Sequence, residues 1–294
     1  MSYPLRYLFH SHAAAFGGHI VRPKNLVIEA GGASALVVTG GRCVSDLGPT
    51  RIDEYFEVES ARTFAEGLYK DRSKFVEVTR HKREEQTLTA VSTARAEVNG
   101  LSIGRQPRLT IGRIRAQLTN TSAGVSGQNA IQVSSDTLID GVSIDGYKLI
   151  IQLETGIFRR LDTHAKLLAS IEDPGFLAKS GEQICMSKRL LATASNKRAR
   201  QEVLKTPAFR RLIRTGDTIY TTIVKTIRWD GRRFPNSEIH GNLVILPTFG
   251  RVYFGELLVS PNSRRLTMAR MAMGSDAGGS SSAGDVQTNG TWSP

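Results

Sequence analysis

Three of the chain's six histidines fall within residues 9 to 19, and His10 and His12 have the H-x-H spacing that lets two imidazoles share a cation. On a strand, residues two apart point to one face, and His19 is expected to arrive from the next strand. A working metal site needs more than imidazoles. Metal-bound histidines are oriented by carboxylates or carbonyls, and residues 1 to 28 contain no Asp or Glu. The histidines are therefore read first as residues of a strand edge. The Ala13 to Ala15 run beside them lets another layer approach closely. A metal-dependent enzyme built on His10, His12 and His19 is the third functional reading, and no cofactor is expected.

Other chemistry is weaker still. The pairs Gly17-Gly18, Gly31-Gly32 and Gly40-Gly41 match neither G-x-x-x-x-G-K-[ST] nor a G-x-G-x-x-G opening a helix, so turns and close strand crossings explain them. No G-x-S-x-G elbow is present. Cys43 and Cys185 are too few for a disulfide framework and are read as small buried hydrophobes. Acyl transfer is set aside, and the chain is read as not an enzyme.

The strongest signal is charge. Residues 188 to 214 hold Lys188, Arg189, Lys197, Arg198, Arg200, Lys205, Arg210, Arg211 and Arg214 against one acid, Glu202, which is +8 of the chain's +12. Such a segment can bind phosphates by releasing counterions, or meet acidic surface on a neighbouring subunit. Phe209 is its one aromatic residue, so base stacking is not expected and nucleic-acid contact would be to the backbone.

These residues have to be positioned by something, and the patterns name it. Residues 1–156 read as short β-branched or aromatic runs, among them Phe75 to Arg80, with Asn99-Gly100 and Asp140-Gly141 as hairpin turns. The phrases after those turns, Leu101-Ser102-Ile103 and Val142-Ser143-Ile144, are alike. Residues 157–216 form a basic helical insertion: Asp162 or Thr163 caps a helix ended by Pro174-Gly175, Ser180-x-x-Gln183 opens a second, and Thr206-Pro207 opens a third. Residues 217–273 return to strands as a meander, with Thr218 to Trp229 as one of them. Residues 274–294, with five glycines and five serines, read as a flexible or loosely docked tail whose end Trp292 pins. The fold class expected is mainly β (α+β), an antiparallel β-sandwich or barrel with a helical insertion.

At 294 residues and 40% hydrophobic content, the chain can bury a large core. The start MSYPLRYLFH lacks the features of a secretory signal, and no apolar run reaches the ~18 residues of a membrane span. A cytoplasmic protein without membrane insertion is expected.

The run HGNLVILPTFGRVYFGELLVSPNSRRLTMARMAMG, with TLIDGVSIDG, TARAEVNGLSI and HAAAFGG, resembles β-rich bacterial proteins without an assigned function, including surface-attached "choice-of-anchor" domains. The shared hairpin pattern falls on Asn242, Pro247, Gly250, Val252 and Glu256. Its motifs are turn punctuation, so the resemblance implies a β fold and transfers no site. The first functional reading is thus a non-enzymatic structural or interaction protein that self-associates as a homo-oligomer or assembly subunit. The second is a nucleic-acid-associated protein contacting phosphates through residues 188–214.

Overall fold

Where one face of a strand is buried, the two-residue period of its side chains decides which residues turn inward. In the computed structural model, which describes residues 6–23, 25–70, 89–123, 129–186, 188–274 and 278–293, such strands build two large antiparallel sheets packed against each other. The fold is the expected mainly β sandwich. Sheet A runs β13 (Arg214–Thr215), β14 (Thr218–Thr222), β18 (Gly250–Ser260), β19 (Ser263–Gly274), β20 (Gly278–Ser293), β1 (Arg6–Ile20) and β2 (Leu26–Ala35), with β16 (Glu238–His240) and β17 (Leu243–Leu246) joined beside β18. Sheet B runs β15 (Val224–Trp229), β12 (Tyr147–Leu153), β11 (Val142–Ile144), β8 (Leu109–Ala123), β7 (Thr89–Ile103), β5 (Phe56–Val58) and β4 (Thr50–Ile52). Beside β7 lies β6 (Ser60–Tyr69), which carries β3 (Gly41–Leu47), while β9 (Ala130–Val133) and β10 (Leu138–Asp140) lie beside β8. The expected strand Phe75 to Arg80 lies outside the described residues.

The Gly/Ser-rich C-terminus is the main correction. Residues 278 to 293 are a 16-residue strand in the middle of sheet A, paired with β19 on one side and β1 on the other. Its composition suits that place, because small side chains let sheet B approach closely. Ala283, Val286 and Thr288 are fully buried, and the Ser92 and Thr288 hydroxyls meet between the sheets at 2.7 Å. Trp292 does pin the end: its ring packs edge-on against Tyr7, and its Nε1 donates to Ser122 Oγ at 3.0 Å.

Both sheets share a crease at which their strands exchange inner and outer faces. In β7 the buried residues are Ala90, Ser92, Ala94, Ala96 and Val98, then Leu101 and Ile103. In β19 the inward residues are Arg264, Leu266 and Met268, then Ala269, Met271 and Met273, while Thr267 is buried on the outer face beside Asp285. The pairs β18–β19, β19–β20, β20–β1 and β7–β8 keep one register through the crease, so no residue is inserted and the neighbours turn together, while β1 and β2 shift by one residue just past it, between Phe16 and Gly18. Left-handed glycines make the turn, Gly32, Gly255 and Gly284 in sheet A and Gly100 and Gly141 in sheet B.

The supposed hairpin turns belong to this crease. Asn99-Gly100 lies within the single strand β7, and Asp140-Gly141 separates β10 from β11, both of which pair with β8. The two similar phrases flank β8 at one level, with Ser102 and Ser143 both opposite Thr110. Thr218 to Trp229 is also two strands: β14 belongs to sheet A and β15 to sheet B, and the chain changes sheets at Ile223, whose N–H donates to Gly255 O.

The helical residues form the crossover between the sheets, as α1 (Gly156–Arg160), α2 (His164–Glu172), α3 (Pro174–Ile184), α4 (Arg189–Ala192), α5 (Lys197–Leu204) and α6 (Pro207–Ile213). Thr163 and Thr206 cap α2 and α6 as expected. Pro174 opens α3 instead of closing α2, with Asp173 as its cap, and Ser180 and Gln183 lie inside that helix. The crossover is anchored by Arg264, which is 1% exposed and donates from β19 to the carbonyls of Phe158 and Leu161. Those carbonyls close α1, so the guanidinium satisfies groups the helix itself leaves open. Burial lowers the Arg264 pKa to about 10, an effect Asp162 opposes.

A Cβ on Gly284 would stand 2.5 Å from an Ile114 methyl of the facing sheet, whereas Gly216, also left-handed, has open space around it. Gly216→Ala is expected to cost about 1–2 kcal/mol through backbone strain alone. Gly284→Ala should lose a further ~1–3 kcal/mol through overpacking. Urea unfolding midpoints check the difference, and equal losses would show that the two sheets do not meet at Gly284.

Candidate functional site

Several cations of the crossover are paired with acids. Arg200 Nη1 stands 3.6 Å from Glu182, Lys205 Nζ 2.9 Å from Glu202, and Arg214 Nη1 2.9 Å from Glu172. Glu172 and Glu182 lie outside the basic stretch, so folding adds acids to it that residues 188–214 lack. Lys188 is half-buried below α4, and desolvation lowers its pKa despite the nearby Glu182. Arg189 lies in α4, and Lys197 opens α5. Arg198, Arg210 and Arg211 are exposed. Phe209 and Ile213 turn inward from α6, as its apolar face requires.

His10 and His12 do share the outer face of β1, with ring centroids 5.9 Å apart. His19 does not join them. It lies on the same strand, seven residues on, or roughly 20 Å away at strand rise, and its ring bonds the Asn25 side chain. Among the described residues no group of three or more His, Cys, Asp or Glu side chains is arranged to hold a metal ion. Cys185 is fully buried, which pushes its thiol up to about 12, while Cys43 is only half-buried.

The outer face of sheet A, one strand from His12, carries a built polar groove of about 400 Å³ whose lining includes Met186, Tyr220, Glu256, Arg265, Arg270 and Ser282. Arg265 grips Asp285 with Nε at 2.9 Å from Oδ1, and its Nη2 reaches Oδ2; the Thr267 hydroxyl also donates to Oδ1. Arg270 holds Glu256 through Nε and Nη2 at 2.5 and 2.6 Å and lies 4.0 Å above the Tyr253 ring. The side chains of Glu256 and Asp285 are 8% and 11% exposed, against 42% and 46% for their arginines. Both oxygens of each carboxylate are thus held by guanidinium N–H groups, and neither acid is free to act as a base. The groove offers donors: the open edges of two arginines and a row of serine hydroxyls.

Apart from Glu256, which belongs to the hairpin pattern, none of these residues stood out in the sequence, because the groove is assembled chiefly from β18, β19 and β20. One signal was available. In Ser263-Arg264-Arg265-Leu266 a strand must send adjacent arginines to opposite faces, so one of them has to be buried and paired. The Asn242 to Glu256 hairpin pattern also gains a role here: Asn242 Nδ2 donates to Phe254 O at 3.0 Å across the hairpin, fixing the strand that presents Glu256.

Burial lowers the His12 pKa; His10 and Arg265 act in the same direction, and Asp285 opposes them. A histidine whose folded pKa lies below its unfolded 6.5 binds fewer protons in the native state, so stability falls as pH drops through that interval. His12→Gln should flatten the pH dependence of the urea midpoint below about 6.5. An unchanged slope would show that His12 titrates as freely in the fold as in the unfolded chain.

Among the described residues no helix is long and apolar enough to cross a membrane. No curated protein and no solved structure matches the chain. A family model described as "Domain of unknown function (DUF8256)" matches residues 7–260, from the first strand of sheet A to the end of β18, and the chain belongs to that family.

Proposed function

We propose that the chain is a non-enzymatic interaction protein that self-associates, with β2 as the contact strand. The observation that carries this reading is the state of that edge. Among the described residues β2 is the last strand of sheet A, ten residues long, and pairs with β1 alone. An outer strand presents unpaired N–H and C=O groups to any chain that can lie beside it, and natural edges are commonly protected by lysine, proline or bulges. Leu26–Ala35 contains no lysine or proline and one charge, Glu29, and the one irregularity of its pairing lies opposite Phe16–Gly18, which leaves the run Gly31–Ala35 in regular register. Exposed valines stand on it and at its ends, Val21 at 54%, Val27 at 67% and Val37 at 66%. An antiparallel β2–β2 contact is self-complementary and closes as a two-fold dimer.

A second reading keeps the basic crossover as a phosphate-binding surface, supported by the exposure of Arg198, Arg210 and Arg211 on consecutive helices. Contact through three cations would give a shallow salt dependence, with log affinity falling by about 3 per decade of salt.

Sedimentation of nuclease-treated protein should give a concentration-dependent mass rising from 32.2 kDa towards twice that value. Val27→Lys should hold it at the lower mass with an unchanged unfolding midpoint. A wild-type protein that stays monomeric at every concentration contradicts the proposal, and retention on generic DNA lost on replacing the three arginines would favour the second reading.

A further inference from the structure

We propose that the outer face of sheet B carries an oxyanion-binding groove centred on Arg42 and Arg95, whose ligand is a phosphate, sulfate or carboxylate group borne on a larger molecule. The groove lies on the opposite sheet from the polar groove of sheet A and away from the helical crossover, and it does not depend on self-association.

Strand register brings its residues together. Asp46, Arg62, Glu97 and Arg115 stand in one row across β3, β6, β7 and β8; Val44, Phe64, Arg95 and Gln117 stand in the next, and Arg42 and Thr93 flank Glu66 in a third. Arg42, Arg62, Phe64, Thr93, Arg95, Glu97 and Gln117 from these rows wall an open groove of about 380 Å³. A water occupies about 30 Å³ of liquid, so the space exceeds an inorganic oxyanion and accommodates the group that carries it.

The charges do not balance. Arg95 and Arg115 donate to the same oxygen, Oε1 of Glu97, from Nε atoms 2.9 and 2.6 Å away. Arg62 has its own partner, Asp46, at 3.4 Å. Arg42 is turned over the Phe64 ring, 5.1 Å from its centroid, instead of pairing with its register neighbour Glu66. The three rows thus hold four guanidiniums against three carboxylates, and of these the groove itself is lined by Arg42, Arg62 and Arg95 against Glu97 alone. Burial favours protonation of Glu97, but the hydrogen bonds and charge of Arg95, with Arg115 beside it, hold its pKa below the usual carboxylate range, so it stays ionised and cannot relieve the excess by changing state.

An excess of planar five-donor cations around a cleft is the arrangement that recognises oxyanions in pairs of hydrogen bonds. The Thr93 hydroxyl and the Gln117 amide supply neutral donors on the same wall, and Phe64 supplies an apolar one. In sheet A each groove arginine has a carboxylate of its own; here Arg42 has no ion-pair partner among the described residues and Arg95 shares one oxygen with Arg115, and an incoming anion supplies a further acceptor.

The full chain is titrated calorimetrically with inorganic phosphate, sulfate and citrate at constant ionic strength, against chloride. Saturable binding of at least one is expected, and the preferred ion distinguishes phosphate, sulfate and carboxylate ligands. Arg42→Gln, at an exposed position with no ion pair among the described residues, should weaken binding at least tenfold while leaving the unfolding midpoint in chloride unchanged. A protein with Arg198, Arg210 and Arg211 replaced by Gln should bind as the wild type does. Absence of saturable binding by all three ions, binding that Arg42→Gln leaves intact, or binding lost with the helical arginines would overturn the proposal.

Discussion

The strands of both sheets are subject to one constraint: where one strand changes the face it buries, its neighbours must change at the same level, or their side chains would be driven into solvent on one side and into each other on the other. Left-handed glycines at Gly255, Gly284 and Gly32 meet that requirement in sheet A. The groove on the outer face follows from it. Arg264 turns inward on one side of the crease, and strict alternation would bury Arg270 as well. The exchange of faces between Met268 and Ala269 brings Arg270 out, where Glu256 meets it.

Arginine serves three purposes in this molecule, separated by how completely its donors are used. Arg264 is buried and bonds backbone carbonyls, tying the helical crossover to the sheet. Arg265 and Arg270 are each matched by one nearly buried carboxylate, which makes the sheet A groove polar yet electrically balanced. On sheet B, Arg95 and Arg115 divide a single carboxylate. A basic isoelectric point near 10 therefore reflects several surfaces with different capacities, and the helical crossover is only one of them.

Much of the fold was legible from alternation, which needs only a buried face to be correct; the sandwich, the helical crossover and the caps at Thr163 and Thr206 came from such local rules. The C-terminal strand was not legible, because Gly278 to Ser293 lacks β-branched and aromatic residues over most of its length. Its strand character comes from two long neighbours and a facing sheet that needs small side chains. Asn99-Gly100 and Asp140-Gly141 misled for a related reason: positive φ suits both a hairpin turn and a crease, and only the facing strand decides between them. The histidine pair was placed correctly on one face. His19 was misplaced because nothing local revealed that β1 continues through Gly17-Gly18. The grooves depend on register between distant strands, which no single stretch of sequence contains.

Self-association as proposed requires β2 to be completed by a second copy of the chain. Amide hydrogen exchange measured across a dilution series tests it most directly, because an edge strand gains a hydrogen-bonded neighbour only when copies meet. Outward-facing amides within Leu26–Ala35 are expected to become more protected as concentration rises, while those of β8 in the interior of sheet B stay constant. Protection in β2 that is independent of concentration, or a gain confined to the helical crossover, would contradict it.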